Sequence, residues 1–89
     1  MLFLAKHVHT AESCPAANGT VKETLGKVMK NTTSGVKLKH LFVDSPGHAL
    51  YFIIEAEKVR QIQDFFDPGL GVGTAEITPI EDGAEKYLN

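Results

Sequence analysis

The sequence predicts an α+β fold, in which two helices alternate with four strands in the order β-α-β-β-α-β. Four short segments carry apolar residues with a period near two, two intervening segments carry an apolar stripe at helical spacing, and turn-forming residues separate them. A chain of 89 residues with 43% hydrophobic and 22% charged residues has the composition of one globular domain. We therefore expect a single domain over residues 1–89, with a core at 2–79 and a polar C-terminal tail at 80–89.

The first predicted strand, Leu2 to Thr10, is the most informative stretch of the chain. It begins as an apolar run and ends with His7 and His9, which share one face because residues i and i+2 of a strand point the same way. The loop that follows, Ala11 to Asn18, holds Cys14, the single cysteine of the sequence. Two imidazoles and a thiol therefore lie close together in sequence.

The first helix is predicted to begin at Thr20, because Thr20 and Glu23 have the spacing of a capping box. It is expected to end near Asn31, where turn-forming residues follow. One apolar stripe at i, i+4, i+7 and i+8 comprises Val21, Leu25, Val28 and Met29.

The second strand is predicted over Val36 to Asp44, with apolar residues and His40 alternating with Lys37 and Lys39, which favours an edge position. An Asp-Ser-Pro-Gly turn then leads into the third strand, His48 to Glu55. The third strand is apolar on both faces, which predicts a central position covered on both sides.

The second helix is expected from Glu57 to Phe66 and is stopped by the Pro-Gly turn at 67–71. Its apolar stripe comprises Val59, Ile62, Phe65 and Phe66. The fourth strand is predicted from Val72 to Thr78 or Pro79. A short helix is a further option in the tail, Glu81 to Asn89, with Tyr87 and Leu88 as its anchors.

Two right-handed β-α-β units in this order form a ferredoxin-like sandwich: a four-stranded antiparallel sheet, ordered 4-1-3-2, with both helices on one face. Since the third strand is apolar on both faces, we expect a second copy of the chain to cover the other face, in a homodimer or higher oligomer.

In element order and length, from Leu2 to Thr78, the chain resembles the dimeric α/β-barrel superfamily, whose sheets pair across a two-fold axis. That superfamily includes antibiotic-biosynthesis-type monooxygenases, haem-degrading enzymes and muconolactone-isomerase-like enzymes. The resemblance implies a cavity, between sheet and helices or within the barrel, that holds a small organic ligand, a haem or a metal.

Composition and charge exclude several other partners. A net charge of -2 and an isoelectric point near 6.0 provide no basic field for nucleic acid. No apolar run approaches the ~20 residues of a membrane span, and the apolar start lacks the charged segment of a signal peptide. One cysteine forms no internal disulfide, so a reducing, cytoplasmic setting is expected.

The strand order brings a set of metal-binding residue types to one end of the sheet. Because the end of strand one lies beside the start of strand three, His48 is expected next to His9. Imidazole and thiolate are ligands for zinc, copper and iron. We therefore predict a transition-metal or haem site from His7, His9, Cys14 and His48; the alternative is a group of hydrogen-bonded polar residues at a strand end.

Three residues outside this cluster, Glu76, Tyr51 and His40, also have side chains that can bind ligands or move protons. If Ala75 and Ile77 face the helices, Glu76 is expected to share the open face with His7 or His9, where its carboxylate would complete a metal site or move protons. The alternative is a solvated glutamate on an edge strand. Tyr51 is expected to line a ligand cavity with its hydroxyl inward; the alternative is a packing residue of a central strand with a hydrogen-bonded hydroxyl. His40, on the opposite edge strand, is expected to lie far from Glu76.

Three functional classes follow from these residues. The first is a protein that binds a metal or small ligand at the His/Cys cluster, with or without catalytic activity. The second is a cofactor-free monooxygenase- or isomerase-like enzyme that uses a histidine and Glu76 for proton transfer. The third is a structural oligomerisation module.

Overall fold

The predicted alternation of strands and helices is present in a computed structural model, which describes residues 1–12, 14–15, 18–30, 35–67 and 73–88. Its elements are β1 (Leu2–Val8), α1 (Gly19–Met29), β2 (Lys37–Asp44), β3 (Ala49–Glu55), α2 (Val59–Phe66), β4 (Thr74–Ile80) and α3 (Gly83–Tyr87). This order is the ferredoxin-like βαββαβ arrangement with a short third helix appended. The predicted turns at 31–34 and 68–71 lie outside the described residues.

The four strands form one antiparallel sheet in the order β2-β3-β1-β4, which confirms the predicted order 4-1-3-2. β1 is central, and its pairing assigns the two faces of the sheet. Ala5 lies opposite Phe52 of β3 and opposite Ile77 of β4. Directly opposed residues of an antiparallel pair point to the same side, so these three side chains share one face.

That face is covered by α1 and α2 and forms the hydrophobic core. The core cluster comprises Phe3, Ala5, Val21, Leu25, Val28, Leu50, Phe52, Ile54, Ala56, Ile62, Phe65 and Phe66. The predicted helical stripes are confirmed except at one end of each, because Met29 is 38% exposed and Val59 is 48% exposed. Phe52 and Phe66 meet edge to face, with ring centroids 4.9 Å apart, a favoured aromatic geometry.

α1 begins earlier than the capping-box pattern predicts. Its N-cap is Asn18, whose side-chain oxygen accepts hydrogen bonds from the backbone N–H groups of Thr20, at 3.1 Å, and Val21, at 3.2 Å. Asparagine is among the strongest N-cap residues, so it displaces Thr20 from that position. The Asn18 side chain also donates to the carbonyl of Glu12, which ties the preceding loop to the helix.

A β-bulge in β2 changes which of its residues face the core. Leu38 lies opposite Ile54 and His40 lies opposite Ile53, so Lys39 has no opposed residue in β3. Leu38 and Leu41 therefore both pack on the core although they are three residues apart. The predicted alternation, which placed Leu38 on one face with His40, is wrong because the extra residue inverts it.

The sheet face opposite the helices, called the open face below, has a mixed and half-buried surface. Its residues of intermediate burial are Leu2, Leu4, Lys6 and Val8 of β1, with Tyr51 and Ile53 of β3.

The tail does form a helix, α3, but the predicted anchors Tyr87 and Leu88 are 75% and 82% exposed and do not pack against the core. None of the described helices has the length and apolarity needed to span a bilayer.

Gly73, just before β4, makes room for the buried ring of His7. A Cβ atom at this position would lie 2.5 Å from Cε1 of His7 and 2.5 Å from the carbonyl oxygen of Val8. The ring also stacks on Phe66, with centroids 6.4 Å apart and planes 13° apart. His7 is therefore packed closely against both Gly73 and Phe66 in a fully buried position.

Replacing Gly73 by alanine should therefore destabilise the protein by about 1–3 kcal/mol, because the new methyl group overpacks a rigid part of the core. Gly26→Ala is the matched control, since a Cβ there meets nothing within 4 Å. In the middle of α1 that change should stabilise by about 0.5–1 kcal/mol. Urea denaturation measures both, and equal effects of the two substitutions would contradict this account of His7 packing.

Candidate metal centre

The candidate site lies where β1 and β3 meet at one end of the sheet. Val8 pairs with Ala49, and the pairing continues for one more residue because the N–H of His9 donates to the carbonyl of His48 at 3.0 Å. His9 is 6% exposed and His48 is half-buried. Their ring centroids are 5.6 Å apart in an edge-on arrangement. The expected neighbourhood of these two histidines is confirmed.

His48 is held by a tight turn in an unfavourable backbone conformation. The carbonyl of Ser45 accepts from the N–H of His48 at 3.2 Å, and the Asp44 carboxylate accepts from the N–H of Gly47 at 3.0 Å. His48 has a φ of 51°, and it is the one described non-glycine residue with a positive φ. Such a residue costs of order 1–3 kcal/mol, and strained residues concentrate at functional sites.

Cys14 reaches the site from the loop between β1 and α1. The N–H of Cys14 donates to the carbonyl of Ala11 at 3.4 Å, and its own carbonyl accepts from the N–H of Asn18 at 2.8 Å. Since Asn18 caps α1, the start of the helix fixes the backbone of Cys14. The thiol is free of any disulfide and half-buried.

These three residues bring their ligand atoms together. One nitrogen of His9, one nitrogen of His48 and the sulfur of Cys14 all lie within 4.8 Å of one another. Among the described residues this is the group of three that meets such a limit. The geometry is compatible with the binding of a metal ion.

The histidine nitrogens of this group are buried without hydrogen-bond partners. Both ring nitrogens of His9, and Nδ1 of His48, are in this condition. Burial, followed by the charges of His7 and His48, lowers the pKa of His9 below its ordinary value. His9 is therefore neutral at pH 7, which leaves a lone pair available for coordination.

A cavity of about 190 Å³ adjoins the group, between α1 and the β2–β3 side of the sheet. His9 and Cys14 form part of its wall. The rest of the wall is largely apolar and includes Pro15, Leu25, Met29, Leu41, Val43 and Leu50. The helical spacing of Leu25 and Met29 predicted a core stripe, and only the packing of α1 on the sheet shows that both residues also line a cavity.

His7 remains outside this group of ligands. It points to the core face, where it is fully buried, and its ring centroid lies 6.3 Å from that of His9. Its neighbours are Phe66 and Gly73. His7 therefore packs in the core, whereas His9, two residues later on the same face, lies at the candidate site. The i, i+2 spacing alone does not distinguish a core histidine from a site histidine.

Glu76 does not share a face with either histidine, so that expectation is wrong. It pairs with Lys6, whereas Ala75 pairs with His7, which places the carboxylate on the open face. Tyr51 also pairs with Lys6 and lies on that face, where the Lys6 amine is 5.8 Å from its ring centroid. Tyr51 therefore does not line the cavity described above.

His40 lies on the edge strand β2, as expected, and is exposed. It stacks on Phe42 of the same strand, with ring centroids 5.9 Å apart. Its position on the open face makes it a useful reference for variants of the buried histidines.

Comparison of the sequence with models of protein families and with curated proteins finds no match in either case.

Replacing His48 by glycine should stabilise the metal-free protein. Glycine adopts positive φ without the ~1–2 kcal/mol penalty of other residues. The greater conformational entropy of glycine in the unfolded state offsets about half of this stabilisation. We expect a net gain of up to about 1 kcal/mol by urea denaturation in the presence of a chelator. His40→Gly, within a strand, should instead lose about 0.5–1 kcal/mol. A His48→Gly protein less stable than the wild type would refute the strain at this position.

Proposed function

We propose that this chain is a transition-metal-binding protein whose ligands are His9, Cys14 and His48. The observation that carries the proposal is the convergence of buried, unpartnered imidazole nitrogens on a thiol, with ligand atoms within 4.8 Å of one another. A buried polar group without a partner costs about 1–3 kcal/mol. A cation between the three side chains gives one nitrogen of each ring a partner and so offsets part of this cost.

The distances require only a small adjustment on binding. Zinc–nitrogen bonds of about 2.0–2.1 Å and zinc–sulfur bonds of about 2.3 Å place tetrahedral ligand atoms roughly 3.3–3.6 Å apart. Atoms within 4.8 Å of one another reach that spacing by small side-chain rotations. Three protein ligands leave a fourth position, an arrangement found in catalytic rather than structural zinc sites.

The donor set favours zinc or copper over the other predicted cofactors. Two imidazoles and a thiolate suit both ions, whereas non-haem iron oxygenases use two histidines and a carboxylate. Glu76, the predicted carboxylate, lies on the other face of the sheet. The cavity of about 190 Å³ is smaller than the ~300–1,000 Å³ pockets of drug-sized ligands, which leaves no room for haem.

The first test is metal binding by untagged protein. Wild-type protein should bind Co²⁺ at about one equivalent per chain, with the near-ultraviolet absorption of a cobalt–thiolate bond, and Zn²⁺ should displace the cobalt. His9→Ala should lower the affinity by at least ~100-fold, because removal of one of three ligands leaves two. His40→Ala, which removes an exposed imidazole, is the control and should bind cobalt normally.

Two results would count against the metal centre. One is the absence of cobalt binding by folded wild-type protein. The other is equal loss of affinity in the His9→Ala and His40→Ala proteins, which would point to adventitious binding by surface histidines.

We also propose that the protein assembles as a homodimer through the open face. This is the pairing implied by the resemblance to dimeric α/β barrels, and aromatic side chains on the β2–β3 side of the face support it. Phe42, on β2, is 59% exposed in the single chain although it lies beside Tyr51. A second sheet packed on this face would bury both rings.

Light scattering at micromolar concentration should give the mass of a dimer. Phe42→Glu should shift the protein towards monomer without loss of fold, because a charge in the interface is costly while the exposed position contributes little to the core. Val59→Glu, at a similarly exposed site on the helix side, should remain dimeric. A monomeric wild-type protein would overturn this assembly.

A further inference from the structure

The cavity beside the candidate metal centre has a volume and an apolar wall that binding of an ion by three side chains does not require. It is shared between α1, β2 and β3, and two of the three proposed ligands, His9 and Cys14, form part of its wall. An ion held by these residues would therefore adjoin the cavity. The fourth position on that ion is then accessible to whatever molecule occupies the cavity.

The size of the cavity limits that molecule. Cavities of about 150 Å³ with apolar walls take up benzene. At about 190 Å³, this cavity has room for one six-membered ring or a short branched chain and one small substituent.

The mouth of the cavity is also apolar. Val43, on its wall, is 63% exposed, and Met29 is 38% exposed. Both side chains would lose contact with water if an apolar molecule entered between α1 and β2. The wall therefore favours a ligand with an apolar body.

The charge around the cavity favours an anionic head group. A divalent ion with one thiolate and two neutral imidazoles retains one positive charge. Lys22 of α1 adds a second positive charge to the wall. Asp44 also lines the cavity, and its carboxylate, which accepts a hydrogen bond from the N–H of Gly47, cancels one of these two positive charges. The local charge stays positive with the ion bound.

We propose that the cavity binds a small apolar anion, about the size of a substituted benzene ring, whose anionic group takes the fourth position on the metal ion. This inference rests on the proposed metal centre. The cavity between α1 and the β2–β3 side of the sheet is then the ligand or substrate site of that centre.

The test compares three probes on the cobalt-loaded protein by calorimetry and by the visible spectrum of Co²⁺. Benzoate carries both the apolar ring and the anion, acetate lacks the ring, and benzamide lacks the charge. Benzoate should change the cobalt spectrum and bind about 10- to 100-fold more tightly than acetate, because the ring leaves water. It should also bind at least about tenfold more tightly than benzamide.

Variants of the wall locate the binding. Val43→Trp fills the mouth from an exposed position and should weaken benzoate binding at least tenfold while cobalt affinity is unchanged. Val59→Trp, on an exposed part of α2, is its control. Lys22→Gln should weaken benzoate severalfold, and Lys27→Gln, also on α1 but away from this cavity, should not.

The outcomes separate the two proposals. If cobalt binds but benzoate and acetate have equal affinities, or Val43→Trp has no effect, the ligand site is wrong and the metal centre stands. If folded wild-type protein binds no cobalt, the metal centre is wrong and the ligand site is overturned with it.

Discussion

The antiparallel pairing of β1 with both of its neighbours is the constraint on which the rest of the structure depends. This register places Phe3, Ala5 and His7 towards the helices and leaves Lys6 on the open face. A slip of one residue would exchange the two sets, burying the lysine in the core. The same register ends with His9 beside His48, so the geometry of the candidate centre follows from the packing of the core.

Several unfavourable features are concentrated at that end of the sheet. His48 adopts a positive φ, three ring nitrogens are buried without partners, and the pKa of His9 is lowered. The two longer helices follow local rules, with apolar stripes in both and an asparagine cap at α1. Sequences that break such rules at one place commonly do so at a functional site. With a metal ion bound there, part of the binding free energy would stabilise the fold.

The element order and the meeting of His9 with His48 were predictable from the sequence, because periodicity identifies strands and topology identifies their neighbours. The faces were harder to assign. Glu76 lies on the open face, as expected, but a histidine of β1 was expected there with it, and the pairing of β1 with its neighbours turns His7 to the core face instead. In β2, the unpaired Lys39 inverted the predicted pattern. The cavity depends on where α1 lies across the sheet, which no local pattern records.

The position of that cavity has a simple geometric origin. On the core face, α1 and α2 supply the helical residues of the core cluster, and α3 contributes no buried residue. The core cluster is centred on β1 and β3, and β2 is left partly uncovered, with Val43 of that strand 63% exposed. The uncovered part borders the end of β1 where His9 lies. Incomplete coverage of an edge strand thus places an apolar space next to the polar atoms of the candidate centre, where the electrostatic attraction between a bound ion and an anionic ligand would be weakened less than in water.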